Sequence, residues 1–295
     1  MKILLKKAWY KIIPYKIPDT YSFNLGYVFH TEMVFDDNIF KNLLFFCKEY
    51  EIITGKKPIC TVMSGVNPKV IDGMQKNNCN SNQLADRYKE LSKLATIGYH
   101  GHFYLNTTHF KRHESEIRSN NFSKLHVSHQ VEKDLEWFYK NNLQHNGIYA
   151  GGWWFTNKDL IEILIKLGFK YDFSFSKHIY FRNQFSHDLM LRNSIKTGQP
   201  FELNIKNTGS IKEIQNLIGA PATPFYDDYK RHTLNILDKN QPTVTGVLNS
   251  HDYDLDATNT LHLFNFLSKE KNVNFFDAKD ILETGLKLDY KMVSI

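Results

Sequence analysis

From residue 25 to the C-terminus, short β-branched or aromatic runs alternate with segments of helical period. This alternation constrains the fold more than any single motif. The runs are LGYVF (25–29), PICTVM (58–63), ATIGYHG (95–101), GIYAG (147–151), FKYDFSF (169–175), PFELNI (200–205), TVTGVLNS (243–250) and VNFFDA (273–278). Each has the length and content of a strand. Between them, DNIFKNLLFFCKEYE (37–51) carries Ile39, Leu43 and Phe46 on one side, and SNQLADRYKELSKL (81–94) opens on Ser81 as a cap. SHQVEKDLEWFYKNN (128–142) aligns Val131, Leu135 and Phe138, and TNKDLIEILIKLGF (156–169) has Thr156 or Asn157 to start it and Gly168 to stop it. DDYKRHTLNILDKN (227–240) and ATNTLHLFNFLSKEKN (257–272) read the same way.

This alternation of strand and helix implies parallel strands joined by helical crossovers. The expected fold is α/β: a distorted (β/α) barrel of seven to eight parallel strands, with an open doubly wound sheet as the competing arrangement. With 295 residues, 42% of them hydrophobic, a single domain over 1–295 buries a sizeable core without staples. Cys47, Cys60 and Cys79 are odd in number and lack a C-x-x-C pair, which fits a reducing compartment and not a zinc ribbon. Residues 1–20 read as a basic N-terminal arm. Its MKILLKKAWYKIIPYKIP alternates bulky apolar residues with lysines and has no uninterrupted apolar segment of the secretory kind. Such an arm either packs on the domain or touches an anionic membrane surface. Every apolar run is broken by charge before the ~20 residues of a membrane span. The expected location is the cytoplasm, free or at a membrane periphery. The net charge of +6 is spread out, with no arginine-rich tract or basic–aromatic platform, so nucleic acid is not an expected partner. No glycine-rich phosphate loop is present. The polar stretch 103–127 reads as a long loop over one face.

IGYHGHFY (97–104) places His100 and His102 two residues apart. In a strand such side chains share a face, about 7 Å apart along the chain. They either converge on one metal ion or sit as a polar pair at a solvated strand end. Other strands end alike: LGYVF runs into His30, Thr31 and Glu32, GIYAG into Gly152, Trp153 and Trp154, and TVTGVLNS into His251 and Asp252. In a parallel barrel these carboxyl ends meet on the functional face. Two imidazoles and a carboxylate form a common ligand set that leaves positions open, so Glu32, His100 and His102 are assigned as metal ligands. His30 is a fourth ligand or a base.

These segments resemble the polysaccharide deacetylases of the NodB-homology group, akin to carbohydrate esterase family 4. YVFHTEMVFDDN (27–38) stands where that family has its T-F-D-D type of first motif, and IGYHGHFY where it has paired metal-binding histidines. YAGGWWFTNKDLIEILIKLGFKYDFSFS (149–176) is similar to its R-x-P/G-G segment and the elements after it, and GVLNSHDYDL (246–255) to its late histidine motif. The chain departs in spacing its histidines two and not four apart, and in placing Tyr149 where the family has arginine. The first motif has a second register in VFDD (34–37), with Asp36 as base and Asp37 as ligand; the plainer reading of both is helix capping.

The resemblance implies a metal-dependent deacetylase acting on an N- or O-acetylated sugar or glycan, in surface polysaccharide or glycolipid assembly, with a lipid-linked substrate among the options. The implied cofactor is a divalent ion, zinc first, with cobalt, nickel or manganese as alternatives. His251 is implied as the acid that protonates the leaving group or steadies the oxyanion, and Asp252 as its neighbour at the substrate. Trp153 and Trp154 either stack on a sugar face or belong to the core. His109 and His113, at i and i+4, form a further metal-capable pair or a solvated one. Two rivals stand: an amidohydrolase-type barrel, whose H-x-H pair ends the first strand and not the third, and a barrel that binds a glycan without turnover.

Overall fold

The computed structural model describes residues 17–105, 117, 123–176, 193–232, 234–283, 288 and 290–295. Residues 1–16 of the basic arm, His109, His113 and most of 103–127 lie outside these.

One sheet carries the strands β1 (Ser22–Thr31), β2 (Ile59–Val62), β3 (Thr96–Gly101), β4 (Ile148–Gly151), β5 (Tyr171–Asp172), β6 (Phe201–Ile205), β7 (Gly209–Glu213), β8 (Thr243–His251), β9 (Val273–Phe275) and β10 (Lys291–Ser294). Their order is β10-β6-β7-β5-β4-β3-β2-β1-β8, with β9 added on β1. Every pairing is parallel except β6 with β7. The sheet curls back on itself just past β7. There Asn216 bridges Val247 of β8 in the parallel sense. Val247 N–H donates to Gln215 O (2.8 Å) and Leu217 N–H to Val247 O (3.0 Å).

The curl creates two apolar layers. On β1, Phe23, Leu25, Tyr27 and Phe29 face outward and pack with Phe46, Tyr50 and Phe264 of the covering helices. Val28 faces inward, with Ile59, Ile148, Tyr171, Phe173 and Val247, over a floor of Phe276 and Ile281. Each fully buried side chain of this kind contributes roughly 1.5–3 kcal/mol. Position 26 on the inner face takes a glycine, because a Cβ there would stand 2.7 Å from the Phe276 ring. The same alternation carries His30 and His100 to the inner face, one pleat above Val28 and Gly98.

The helices are α1 (Asp37–Thr54), α2 (Pro68–Lys76), α3 (Ser81–Leu91), α4 (Lys124–Lys140), α5 (Lys158–Lys166), α6 (Pro224–Lys230), α7 (Ala257–Leu267) and α8 (Ala278–Leu282). Asp36 caps α1 by accepting from the Asn38 and Ile39 amides. The cap of α3 is Asn80 and not Ser81, in a reciprocal box with Gln83; the Ser81 hydroxyl instead accepts from Trp137 Nε1. Asn157, of the two candidates, caps α5. α4 starts at Lys124, inside the stretch expected to be loop. The helix expected over 227–240 ends at Lys230, and Asp238 pairs instead with Gln241 in a bridge. All eight expected strands form, but β6 turns back into an antiparallel hairpin with β7. β7, β10, α2 and α8 had no place in the sequence pattern.

Candidate metal centre

Two strands deliver the centre. Glu32 follows β1, His100 lies on β3, and His102 follows it by one pleat. Their ligand atoms lie within 4.8 Å of one another, and all three residues are buried. Glu32 Oε1 stands 2.9 Å from His102 Nε2 and 3.2 Å from His100 Nε2, and the two nitrogens are 3.1 Å apart. The structure brings these three side chains together.

The donor set fits a cation. His100 Nδ1 lies 2.8 Å from the Ala150 carbonyl, which makes it the donor nitrogen and leaves a lone pair on Nε2. That lone pair faces the carboxylate oxygen and the Nε2 of His102, so electron-rich atoms converge with too few protons to separate them. Burial pushes His100 down to about 4 against the pull of Glu32, so the ring is neutral at physiological pH. Burial pushes the Glu32 carboxyl up, but His102, His100 and Lys69 together outweigh it and hold it well below its ordinary value. A triangle with edges of 2.9–3.2 Å is close to the face of a tetrahedral zinc site, whose ~2.0–2.1 Å bonds give edges of about 3.3 Å.

A row of imidazoles continues from this triangle. The His30 ring lies 4.7 Å from that of His100 and 5.5 Å from that of His251. His30 is buried, its Nε2 has no hydrogen-bond partner among the described residues, and burial followed by His100 and His251 lowers its pKa well below the ordinary value. His251 is half-buried at the end of β8. Its Nδ1 bonds Asp254 Oδ2 (2.8 Å), and its backbone amide donates to Asp254 Oδ1 (2.8 Å).

Asp252 does a different job from the one expected of it. Its carboxylate accepts from the backbone amides of Glu32 (3.0 Å), Met33 (2.6 Å) and Tyr253 (3.1 Å), and so fixes the chain that carries Glu32. Burial raises it to about 7, against the lowering effect of those amides. The partner of His251 is Asp254. Asp36 and Asp37 do not reach the centre: Asp36 caps α1, and Asp37 is exposed and paired with Arg87.

Trp153 and Trp154 follow β4 in consecutive left-handed conformations, φ 56° and 51°. For bulky side chains this costs roughly 1–3 kcal/mol each. Trp153 is 37% exposed at the rim, while the Trp154 ring lies 5.6 Å from that of His30. Before them, Gly152 packs on the face of the His102 ring: a Cβ there would lie 2.3–2.4 Å from Cε1, Nε2 and Cδ2. Tyr149, at the family's arginine position, faces the outer layer with Tyr99 and Phe169.

Sequence reasoning missed three groups. Lys69 of α2 pairs with Glu32 Oε2. Asn67 caps α2 through Oδ1 and donates its amide to His102 O (2.9 Å). Asp254 was within reach of inspection, three residues after His251; the other two lie at the start of a helix that left no periodic signal.

No family model and no curated protein matches the chain. Among solved structures it is similar to a candidate polysaccharide deacetylase from Mycobacterium smegmatis, with 13% identity and a TM-score of 0.58 over 96% of this chain and 97% of that one. It is also similar to a 4-alpha-glucanotransferase from Thermococcus litoralis, with 10% identity and a TM-score of 0.55 over 93% of this chain. There it spans 42% of the longer protein. At these identities the likeness establishes the fold alone, a barrel-like α/β architecture with a mostly parallel sheet. Among the described residues, no helix is long and apolar enough to cross a membrane.

Proposed function

We propose that this chain is a metal-dependent hydrolase that removes an acetyl group from an N- or O-acetylated sugar. The observation that carries the reading is the convergence of two imidazoles and an ionised carboxylate on one point. Such a set leaves coordination positions open, as catalytic sites do and structural sites do not. Glu32, His100 and His102 would hold a divalent ion, zinc first and cobalt, nickel or manganese otherwise; it supplies Lewis acidity that lowers the pKa of water towards ~7 and polarises the acyl carbonyl.

The chain's own groups do the proton work. His30 is neutral and its Nε2 has no hydrogen-bond partner among the described residues, so it can take a proton from the attacking water or serve as a further ligand. Asp254 holds the Nδ1 side of His251, which leaves Nε2 to deliver a proton to the departing nitrogen or oxygen. Asp252 keeps the Glu32 segment from swinging away as charge develops. Support for a sugar comes from the sequence motifs, from a fold shared with a protein named as a candidate polysaccharide deacetylase, and from the partly exposed rings of Trp153 and Tyr253 beside the centre. A glycan of surface polysaccharide or glycolipid assembly, free or lipid-linked, is the proposed substrate class.

The test is metal content together with acetate release. Wild-type protein purified without chelator should carry stoichiometric metal and release acetate from an N-acetylglucosamine oligomer or an O-acetylated glycan. His100→Ala should do neither. A wild-type protein that carries no metal and gains no thermal stability from zinc, cobalt, nickel or manganese would refute this reading in favour of a glycan-binding barrel without turnover.

A further inference from the structure

Glu32 uses its two oxygens differently. Oε1 faces both histidines, while Oε2 is engaged by the Lys69 ammonium. Lys69 sits in the first turn of α2, where Asn67 accepts its backbone amide (3.0 Å). The side-chain amide of Asn67 also bonds the His102 carbonyl, so one short turn is tied to two of the three candidate ligands. The Lys69 side chain is 20% exposed and that of Glu32 3%, so solvent screens this pair little.

We infer that Lys69 sets the net charge of the centre: it restricts Glu32 to ligation through one oxygen and weakens retention of the cation, acting through Glu32. The inference rests on the metal-hydrolase reading above. Its basis is charge. Glu32 is the one carboxylate among the three candidate ligands, and Lys69 cancels it, so a bound divalent ion keeps its full formal charge. An ammonium on the far side of the ligating carboxylate repels the ion and draws electron density from its donor. Loss of an orienting partner ordinarily weakens metal binding by about 10–100-fold. A fixed unit charge facing a doubly charged ion at a buried carboxylate acts more strongly and in the opposite sense.

The two effects predict opposite signs, so the experiment is decisive. Cobalt(II) affinity is measured by chelator competition, and the visible cobalt spectrum is recorded, for wild type, Lys69→Met and Lys69→Arg. Lys69→Met should bind cobalt at least ~10-fold more tightly, with a weaker, altered d–d absorption as the carboxylate becomes free to ligate through both oxygens. Lys69→Arg should match the wild type. If Lys69→Met does not fold, Lys69→Gln carries the same expectation. Unchanged or weaker binding with the cation removed overturns the inference and leaves the metal centre standing. Failure of the wild type to bind cobalt at all overturns the centre itself.

Discussion

Gly152→Ala tests how tightly the centre is built. The new Cβ would lie 2.3–2.4 Å from three adjacent atoms of the His102 ring, about 1 Å inside ordinary van der Waals contact. The ring is 5% exposed and faces Glu32 and His100 at about 3 Å, so it has no free direction to retreat. Overpacking of this kind costs roughly 1–3 kcal/mol. With an unfolding entropy of about 2.1 cal/mol/K per residue over 295 residues, that lowers the Tm by about 2–5 °C. The larger effect is on metal. Ligand distances tolerate only about 0.2 Å of error, so a ring moved by about 1 Å no longer ligates. Zinc at about 100 times its Kd adds roughly 2.7 kcal/mol, or about 4 °C, to the wild type, and this increment should vanish in Gly152→Ala. Calorimetric scans with zinc and with chelator measure both quantities. A variant that loses 2–5 °C yet keeps the full zinc increment would show that the ring position is not what holds the ion.

Three further outcomes separate the roles of individual residues. Asp36→Ala removes the cap of α1 and should lower stability by about 1 kcal/mol without changing metal affinity; loss of metal would instead restore the VFDD register. His251→Ala should cut kcat by about 10²–10⁴-fold with metal content intact, and Asp254→Asn should fall part of the way, both read by steady-state kinetics beside metal analysis. Burial raises Asp134 from 3.8 to about 6. Its folded pKa lies above its unfolded one, so the fold is favoured by the proton: this contribution is full below about pH 4 and is lost as pH rises through about 6, by roughly 3 kcal/mol in all. Asp134→Asn can still bond the Ser64 and Tyr99 hydroxyls. The Tm of the wild type relative to this variant should therefore drop by about 5 °C between pH 4 and pH 8, and a flat difference would refute the assignment.

The parts of the fold visible in the sequence were those with a long or doubly buried pattern. β1 and β8 are nearly continuously buried because helices cover one face and the barrel interior the other. β7 was missed because GSIKE reads as a polar turn; only Ile211 and Glu213 of it are buried, and its partner β6 decides its fate through a hairpin. The helix misplaced at 227–240 is cut by His232 in a left-handed conformation, which no residue type there advertises.

The centre was legible for the same reason that strands are: a period of two. His100 on β3 and His102 just past it obey it, as do His30 on β1 and Glu32 just past it, so four side chains could be placed on one face by counting alone. Residues whose position depends on a loop were not. The charge of the centre comes from Lys69, on a helix reached through the turn after β2, and its stiffness comes from Asp252 holding amides more than two hundred residues away in sequence. No spacing rule reports such contacts, because they arise only once the barrel has curled and neighbouring loops crowd one rim. The family's arginine position shows the point from the other side. Tyr149 there faces the outer layer, and the cation that meets Glu32 is Lys69, in the first turn of α2. A missing motif residue on this chain is therefore no measure of a missing charge, and the cobalt affinity of the Lys69 variants measures that charge directly.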